Sequence, residues 1–129
     1  MDYKNLVNLA NEVRQNAYAP YSNFRVGAAL VGNSGKVYTG VNVENSSFGA
    51  TICAERTAIV KAISEGEKKI KVIAISSDSE DYTLPCGICR QVISEFAAED
   101  LVIVCSNNKG EYKIYKIDEI LPNAFVFKK

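Results

Sequence analysis

At 129 residues the chain is long enough for one folded unit with its own core and too short for two, so residues 1–129 are expected to form a single domain. Hydrophobic residues make up 47% and charged residues 23%, a globular balance that excludes a disordered chain. With 15 Lys plus Arg against 15 Asp plus Glu the formal net charge is zero, which argues against a nucleic-acid partner, because neutralised phosphates supply most of such a protein's affinity.

The first predicted element is an amphipathic helix over residues 3–16. Leu6, Leu9, Ala10, Val13 and Ala17 recur at helical spacing, and Asp2 is placed to cap the start. Ala19-Pro20-Tyr21-Ser22 ends it, since proline lacks the amide hydrogen a continuing helix needs. Two β-rich runs, Arg25 to Val31 and Lys36 to Val43, flank Gly32-Asn33-Ser34-Gly35 and read as a hairpin. A second helix spans residues 52–65 with Ala54, Ala58, Ile59, Ala62 and Ile63 inward and Gly66 as its cap. Val72 to Ser76 reads as a buried central strand. Pro85 opens a third helix running to about Ala98, with Ile88, Val92, Ile93 and Phe96 on its buried side. Strands at Leu101–Cys105 and Tyr112–Lys116 follow, joined by the turn Asn107-Asn108-Lys109-Gly110, and a helical turn at Asp118–Leu121 precedes the tail. Strands alternating with helices predict an α/β fold, a three-layer α/β/α sandwich with a mixed five-stranded sheet.

No apolar run approaches the ~18 residues of a membrane span, so no membrane partner is expected. The polar start Met1-Asp2-Tyr3-Lys4-Asn5 has no signal-peptide core, and a cytoplasmic location is expected. Disulfides are rare in that reducing compartment, so four cysteines point to metal or catalysis. The chain has no histidine, which leaves thiolates and carboxylates to bind a transition metal and to move protons.

Cys86-Gly87-Ile88-Cys89 has the two-residue gap of zinc ligands, and Cys53 supplies a third thiol upstream. A CxxC also suits a thioredoxin-like redox pair or two buried thiols. A redox pair should follow the first strand of its fold, whereas this one follows the third run that reads as β. Cys53 and the Cys86/Cys89 pair both fall at predicted helix starts, where unpaired amides favour thiolate. Three thiolates leave a tetrahedral zinc one corner for water, as in a catalytic site; Cys105, ending an apolar strand, reads as a small core hydrophobe. Glu55, two residues after Cys53, is either a dipole partner in the first helical turn or a proton carrier beside the metal. Arg56 is either a surface residue or a donor to thiolate sulfur that offsets the charge of the metal centre.

Cys53-Ala54-Glu55-Arg56 together with Pro85-Cys86-Gly87-Ile88-Cys89-Arg90-Gln91 resembles the signature of the zinc cytidine deaminases. The likeness covers essentially the whole chain. Tyr21-Ser22-Asn23-Phe24, Asn42-Val43-Glu44-Asn45 and Ala124-Phe125 resemble the small all-cysteine, homotetrameric branch. The resemblance implies one zinc per chain and hydrolysis of cytidine and deoxycytidine at C4 to uridine, deoxyuridine and ammonia, a step of pyrimidine salvage. It implies zinc-bound hydroxide as nucleophile, Glu55 as proton shuttle, and Cys53, Cys86 and Cys89 as ligands. It also implies that Asn42 and Glu44 hold the sugar's 3′-hydroxyl, that Phe24 flanks the base, and that the Ala54 amide meets the 2-oxo group. Phe125 then reaches a neighbouring subunit's site, so the expected partners are a nucleoside and further copies of the chain. One departure stands out: Phe48 occupies a position where many relatives carry tyrosine.

Three other readings compete. A deaminase of aminonucleoside antibiotics of the blasticidin type shares Cys-Ala-Glu and the later pair, but Asn42-x-Glu44 and Arg56 favour cytidine. Editing of RNA or DNA conflicts with the zero net charge. A non-enzymatic zinc module requires a fourth protein ligand, for which Cys105 is the candidate.

Overall fold

A computed structural model describes residues 2–127. The Asp2 carboxylate accepts a hydrogen bond from the Asn5 amide at 3.2 Å and starts α1 (Tyr3–Val13), which tightens into a 3₁₀ turn at Arg14–Asn16. The hairpin β1 (Val26–Gly32) and β2 (Val37–Val41) turns through Gly35 at φ +90°, a conformation that side chains resist. Helix α2 (Ala54–Ser64) ends at Gly66, where the Gly66 amide bonds the Ile63 carbonyl and the Glu67 amide bonds the Ala62 carbonyl, both at 3.0 Å. Then come β3 (Ile70–Ser77), α3 (Gly87–Phe96), β4 (Ala97–Ser106), β5 (Tyr112–Lys116) and the short α4 (Ile117–Ile120).

The five strands form one sheet in the order β2-β1-β3-β4-β5, with β3 and β4 parallel and the other pairs antiparallel. Side-chain alternation sends Ala28, Leu30, Ile73, Ile75, Ile103 and Cys105 to one face, under Ala54, Ala58, Ile59 and Ala62 of α2 and Ile93 of α3. Ala29, Val31, Val72, Ala74 and Val104 face the opposite way, against Leu6, Val7 and Ala10 of α1. Helices on both faces make the expected three-layer α/β/α sandwich.

Register fixes where function can sit. Gly27 opposes Val41 and Val26 opposes Ser77, so the end of β2, the start of β1 and the end of β3 meet at one edge of the sheet. Helix α2 follows β2 and α3 follows β3, so both helix N-termini come to that same edge, the end at which open α/β sheets take ligands. Gly40 brings β2 close under α2: a Cβ there would lie 2.8 Å from the Ala54 carbonyl oxygen.

Two expectations need correction. Helix α3 stops at Phe96, not near Ala98, because Ala97 turns extended (φ −67°, ψ 127°) and pairs with Ile70 as the start of β4. Ile88 is not on the buried side but 64% exposed: Cys89 and Ile93 take the core-facing stripe, and Ile88 lies about 100° round the helix from Cys89.

Candidate active site

Cys53 is the N-cap residue of α2 and Cys86 the N-cap of α3, and both adopt extended backbone (ψ 156° and 169°). Neither side chain caps its own helix, which leaves both sulfurs free to turn outward. Cys89, one turn into α3, is buried and completes a group of three sulfurs that all lie within 4.8 Å of one another. Cys53 Sγ and Cys86 Sγ are 3.7 Å apart. A tetrahedral metal with Zn–S bonds of ~2.3 Å places its sulfur ligands about 3.8 Å from each other, so the spacing fits zinc. Soft thiolates with no imidazole nearby suit the same ion. Cys105 lies apart in the sheet core and belongs to no metal-ligating group among the described residues.

Hydrogen bonding and charge tune these sulfurs differently. A bond from the Cys89 thiol holds Cys53 down to about 5, against the opposing effect of burial, and Arg56 adds to the lowering. The same bond, together with burial, pushes Cys89 up. The Arg56 guanidinium lies 3.8 Å from Cys53 Sγ and donates to the Thr51 carbonyl at 3.3 Å. Its Nε is buried without a hydrogen-bond partner, while its Nη2 is the atom that faces Cys53 Sγ. Glu55 is 4% exposed at the second position of α2. Burial pushes its carboxyl up to about 7 and the charge of Cys53 adds to this, while its own amide, the Cys89 thiol and Arg56 pull it down.

In front of the sulfurs opens a cleft of about 300 Å³, at the lower end of small-molecule sites. Cys53, Ala54, Glu55 and Cys86 line it; Phe24, Val26, Asn42 and Glu44 join them from the start of β1 and the segment after β2; Ser22, Thr51, Ile52, Thr83 and Leu84 complete the lining. Asn42 is buried, accepting from the Val26 amide at 2.9 Å and donating to the Phe24 carbonyl at 2.8 Å. It therefore fixes the segment that carries Phe24. Glu44 accepts from the Tyr21 and Ser22 amides at 2.9 and 3.1 Å and from the Ser22 hydroxyl, whose bond lowers its pKa most.

The structure thus gathers Phe24, Asn42, Glu44, Cys53, Ala54, Glu55 and Cys86 around one cleft, with Cys89 and Arg56 against the sulfurs. It does not bring Phe125 there: that ring is 69% exposed and lies near Ser94 and Glu95 of α3. Sequence reasoning quotes Ser22 only within a family-like segment and gives no site role to Val26, Thr51, Ile52, Thr83 or Leu84, which also line the cleft. The last two directly precede Pro85-Cys86, and that adjacency was the available signal.

Three thiols aimed at one point, an open cleft before them and a sequestered carboxyl alongside are what a metal-dependent hydrolase needs to bind a small substrate and activate water. Residues 1–105 match the family model for the cytidine and deoxycytidylate deaminase zinc-binding region. A cytidine deaminase from Sporosarcina psychrophila is 43% identical over 97% of this chain and 92% of its own length. One from Halalkalibacterium halodurans is 44% identical over 97% and 95%. The crystal structure of the Burkholderia pseudomallei cytidine deaminase superposes with a TM-score of 0.92 at 43% identity, covering 97% of this chain and all of that one (100%). The chain belongs to the cytidine and deoxycytidylate deaminase family of zinc-dependent hydrolases.

Proposed function

We propose that the chain hydrolyses cytidine and deoxycytidine to uridine and deoxyuridine with release of ammonia, as a step of pyrimidine salvage in the cytoplasm. The observation that carries this reading is Glu55, buried within the same helical turn as Cys53 and facing the cleft before the three sulfurs. A reducing compartment suits it, because the ligands must stay free thiolates. Residues 1–129 act as one catalytic domain in this reading.

Held by Cys53, Cys86 and Cys89, zinc supplies the Lewis acidity that makes water a nucleophile near neutral pH. The remaining work falls to the chain's own groups. As the water oxygen bonds to C4, Glu55 takes a proton from it and delivers that proton to N3. A second proton, from the new C4 hydroxyl, passes through Glu55 to N4; the C4–N4 bond breaks and ammonia leaves. Arg56 offsets the negative charge of three sulfurs around a divalent ion.

Substrate placement follows from the cleft lining. The Ala54 amide is the first of α2 and has no partner within the helix, so it is available to the 2-oxo group of the base. Phe24 flanks the base. Asn42 spends one lone pair and one amide hydrogen on Val26 and Phe24, and its remaining donor and acceptor, with Glu44, meet the ribose 3′-hydroxyl. Phe125, directed away from its own cleft, serves a neighbouring copy in a homotetramer.

Glu55→Gln tests the reading. The variant is expected to fold, to hold zinc in wild-type stoichiometry, and to lose deamination by at least about 10²-fold, the low end for removal of a proton-transfer group. Zinc per chain and the fall in cytidine absorbance are the two measurements. Near-normal turnover would overturn the proton-transfer role.

A further inference from the structure

Cys86 poses a positioning problem. Its side chain is exposed, so packing does not hold it, and its sulfur meets only the other two sulfurs of the cluster, Cys53 Sγ at 3.7 Å and that of Cys89. The backbone on either side must do the aiming. Arg90 bonds both flanking carbonyls: its main-chain amide donates to the Cys86 oxygen at 2.9 Å, and its side-chain Nε donates to the Pro85 oxygen at 2.7 Å. A peptide unit is planar, so fixing its oxygen fixes the plane on that side. With both planes held, the Cys86 Cα–Cβ vector is set.

The same guanidinium reaches further. Arg90 Nη1 donates to the Ile120 oxygen at 2.8 Å, a carbonyl at the end of α4 that the helix itself leaves unpaired. Next to it, Gln91 Nε2 donates to the Phe125 oxygen at 3.4 Å. One side chain therefore bridges the Pro85–Cys86 peptide and the segment that leads to Phe125, thirty positions on. Lysine cannot do this, since a single ammonium lacks the rigid fork that serves two carbonyls at once.

We infer that Arg90 is a positioning residue that couples the orientation of Cys86 to the placement of the C-terminal segment 117–125. The inference rests on the reading of Cys53, Cys86 and Cys89 as zinc ligands. Loss of the bridge loosens the metal centre and the C-terminal segment together; an arginine that merely satisfied a helix end would loosen the segment alone.

Zinc-loaded wild type, Arg90→Met and Arg90→Lys separate these cases through two measurements. One is the rate of zinc transfer to a chromophoric chelator, and the other is amide hydrogen exchange over 84–89 and 117–125. Arg90→Met is expected to release zinc at least about tenfold faster, the low end for losing a group that orients a metal ligand. Exchange should rise in both segments but not in α1 or the β1–β2 hairpin, with Arg90→Lys intermediate. Zinc release within twofold of wild type, or faster exchange in 117–125 only, overturns the inference. If Arg90→Met fails to fold, Arg90→Lys carries the same two measurements. Wild-type protein that holds no zinc at all would instead sink the underlying metal reading.

Discussion

Cys105 has no exposed surface and shares the α2-covered face of the sheet with Ile75 and Ile103. Burial pushes its thiol up to about 12, and the charge of Glu55 adds to this, so at neutral pH it is a protonated, apolar-like side chain. Cys105→Ala should therefore keep full zinc stoichiometry and activity while losing about 1 kcal/mol of stability, the scale of deleting one heavy atom from a packed core. Urea unfolding together with zinc per chain checks both halves; loss of zinc would make the site a closed structural one. Asp78 behaves differently. Its carboxylate, desolvated yet bonded by Arg25 and Arg14, is held below its usual pKa: burial raises it, and the Arg25 bonds and the two positive charges outweigh that. A lowered folded-state pKa means the stabilisation is complete above the usual carboxylate range and fades as pH falls through the folded value. Asp78→Asn should cost about 2 kcal/mol at neutral pH and flatten the acid limb of the stability profile, measured by urea unfolding across pH. An unchanged acid limb would show that other carboxylates set it. These two residues also mark what sequence reveals. The role of Cys105 was legible from its place at the end of an apolar strand. That of Asp78 was not, because Arg14 stands 64 residues away and no local period links them.

Helix α2 carries Cys53, Glu55 and Arg56 on its first turn, and its height above the sheet is set by a glycine. A Cβ at Gly40 would collide with the backbone at Ala58 and lie 2.8 Å from the Ala54 oxygen. Gly27 plays the same part for α1 on the opposite face, where a Cβ would meet the Ala10 carbonyl. Gly40→Ala and Gly27→Ala should each cost about 1–3 kcal/mol through overpacking. They should part company at the metal: only Gly40→Ala displaces the helix start that holds Cys53, so only it should speed zinc loss to a chelator. Equal effects on zinc would mean that global stability, not the seating of α2, governs retention. Elements of this kind were readable where local chemistry is strong. Glycines marked the hairpin and the end of α2, and the capping aspartate marked α1. The end of α3 was misread because Ala97 and Ala98 are good helix formers, yet pairing with Ile70 draws Ala97 into β4. Ile88 was misread because a helix start beside a cleft has no layer above it.

Across the whole molecule, large apolar side chains stay outside the three layers. Phe48 is 77% exposed and stands edge-on to Tyr21 with ring centroids 6.0 Å apart, and Phe125, Val126 and Phe127 are similarly open. In the reading proposed above, these open rings meet further copies of the chain in a tetramer. Phe125 makes that testable, because its own cleft does not contain it. Phe125→Ala alone should weaken nucleoside binding and so raise KM. Glu55→Gln alone is expected to be nearly inactive. Co-refolding the two in equal amounts should restore activity, since a Phe125→Ala chain keeps Glu55 and can borrow the ring of a Glu55→Gln neighbour. With random pairing, roughly a quarter of all sites combine an intact Glu55 with a borrowed Phe125. Activity measured at limiting cytidine should rise toward that fraction of wild type, and dilution that splits the assembly should abolish the gain. A mixture no more active than the sum of its parts would place Phe125 outside any shared site, and the exposed aromatic surface would then need another partner.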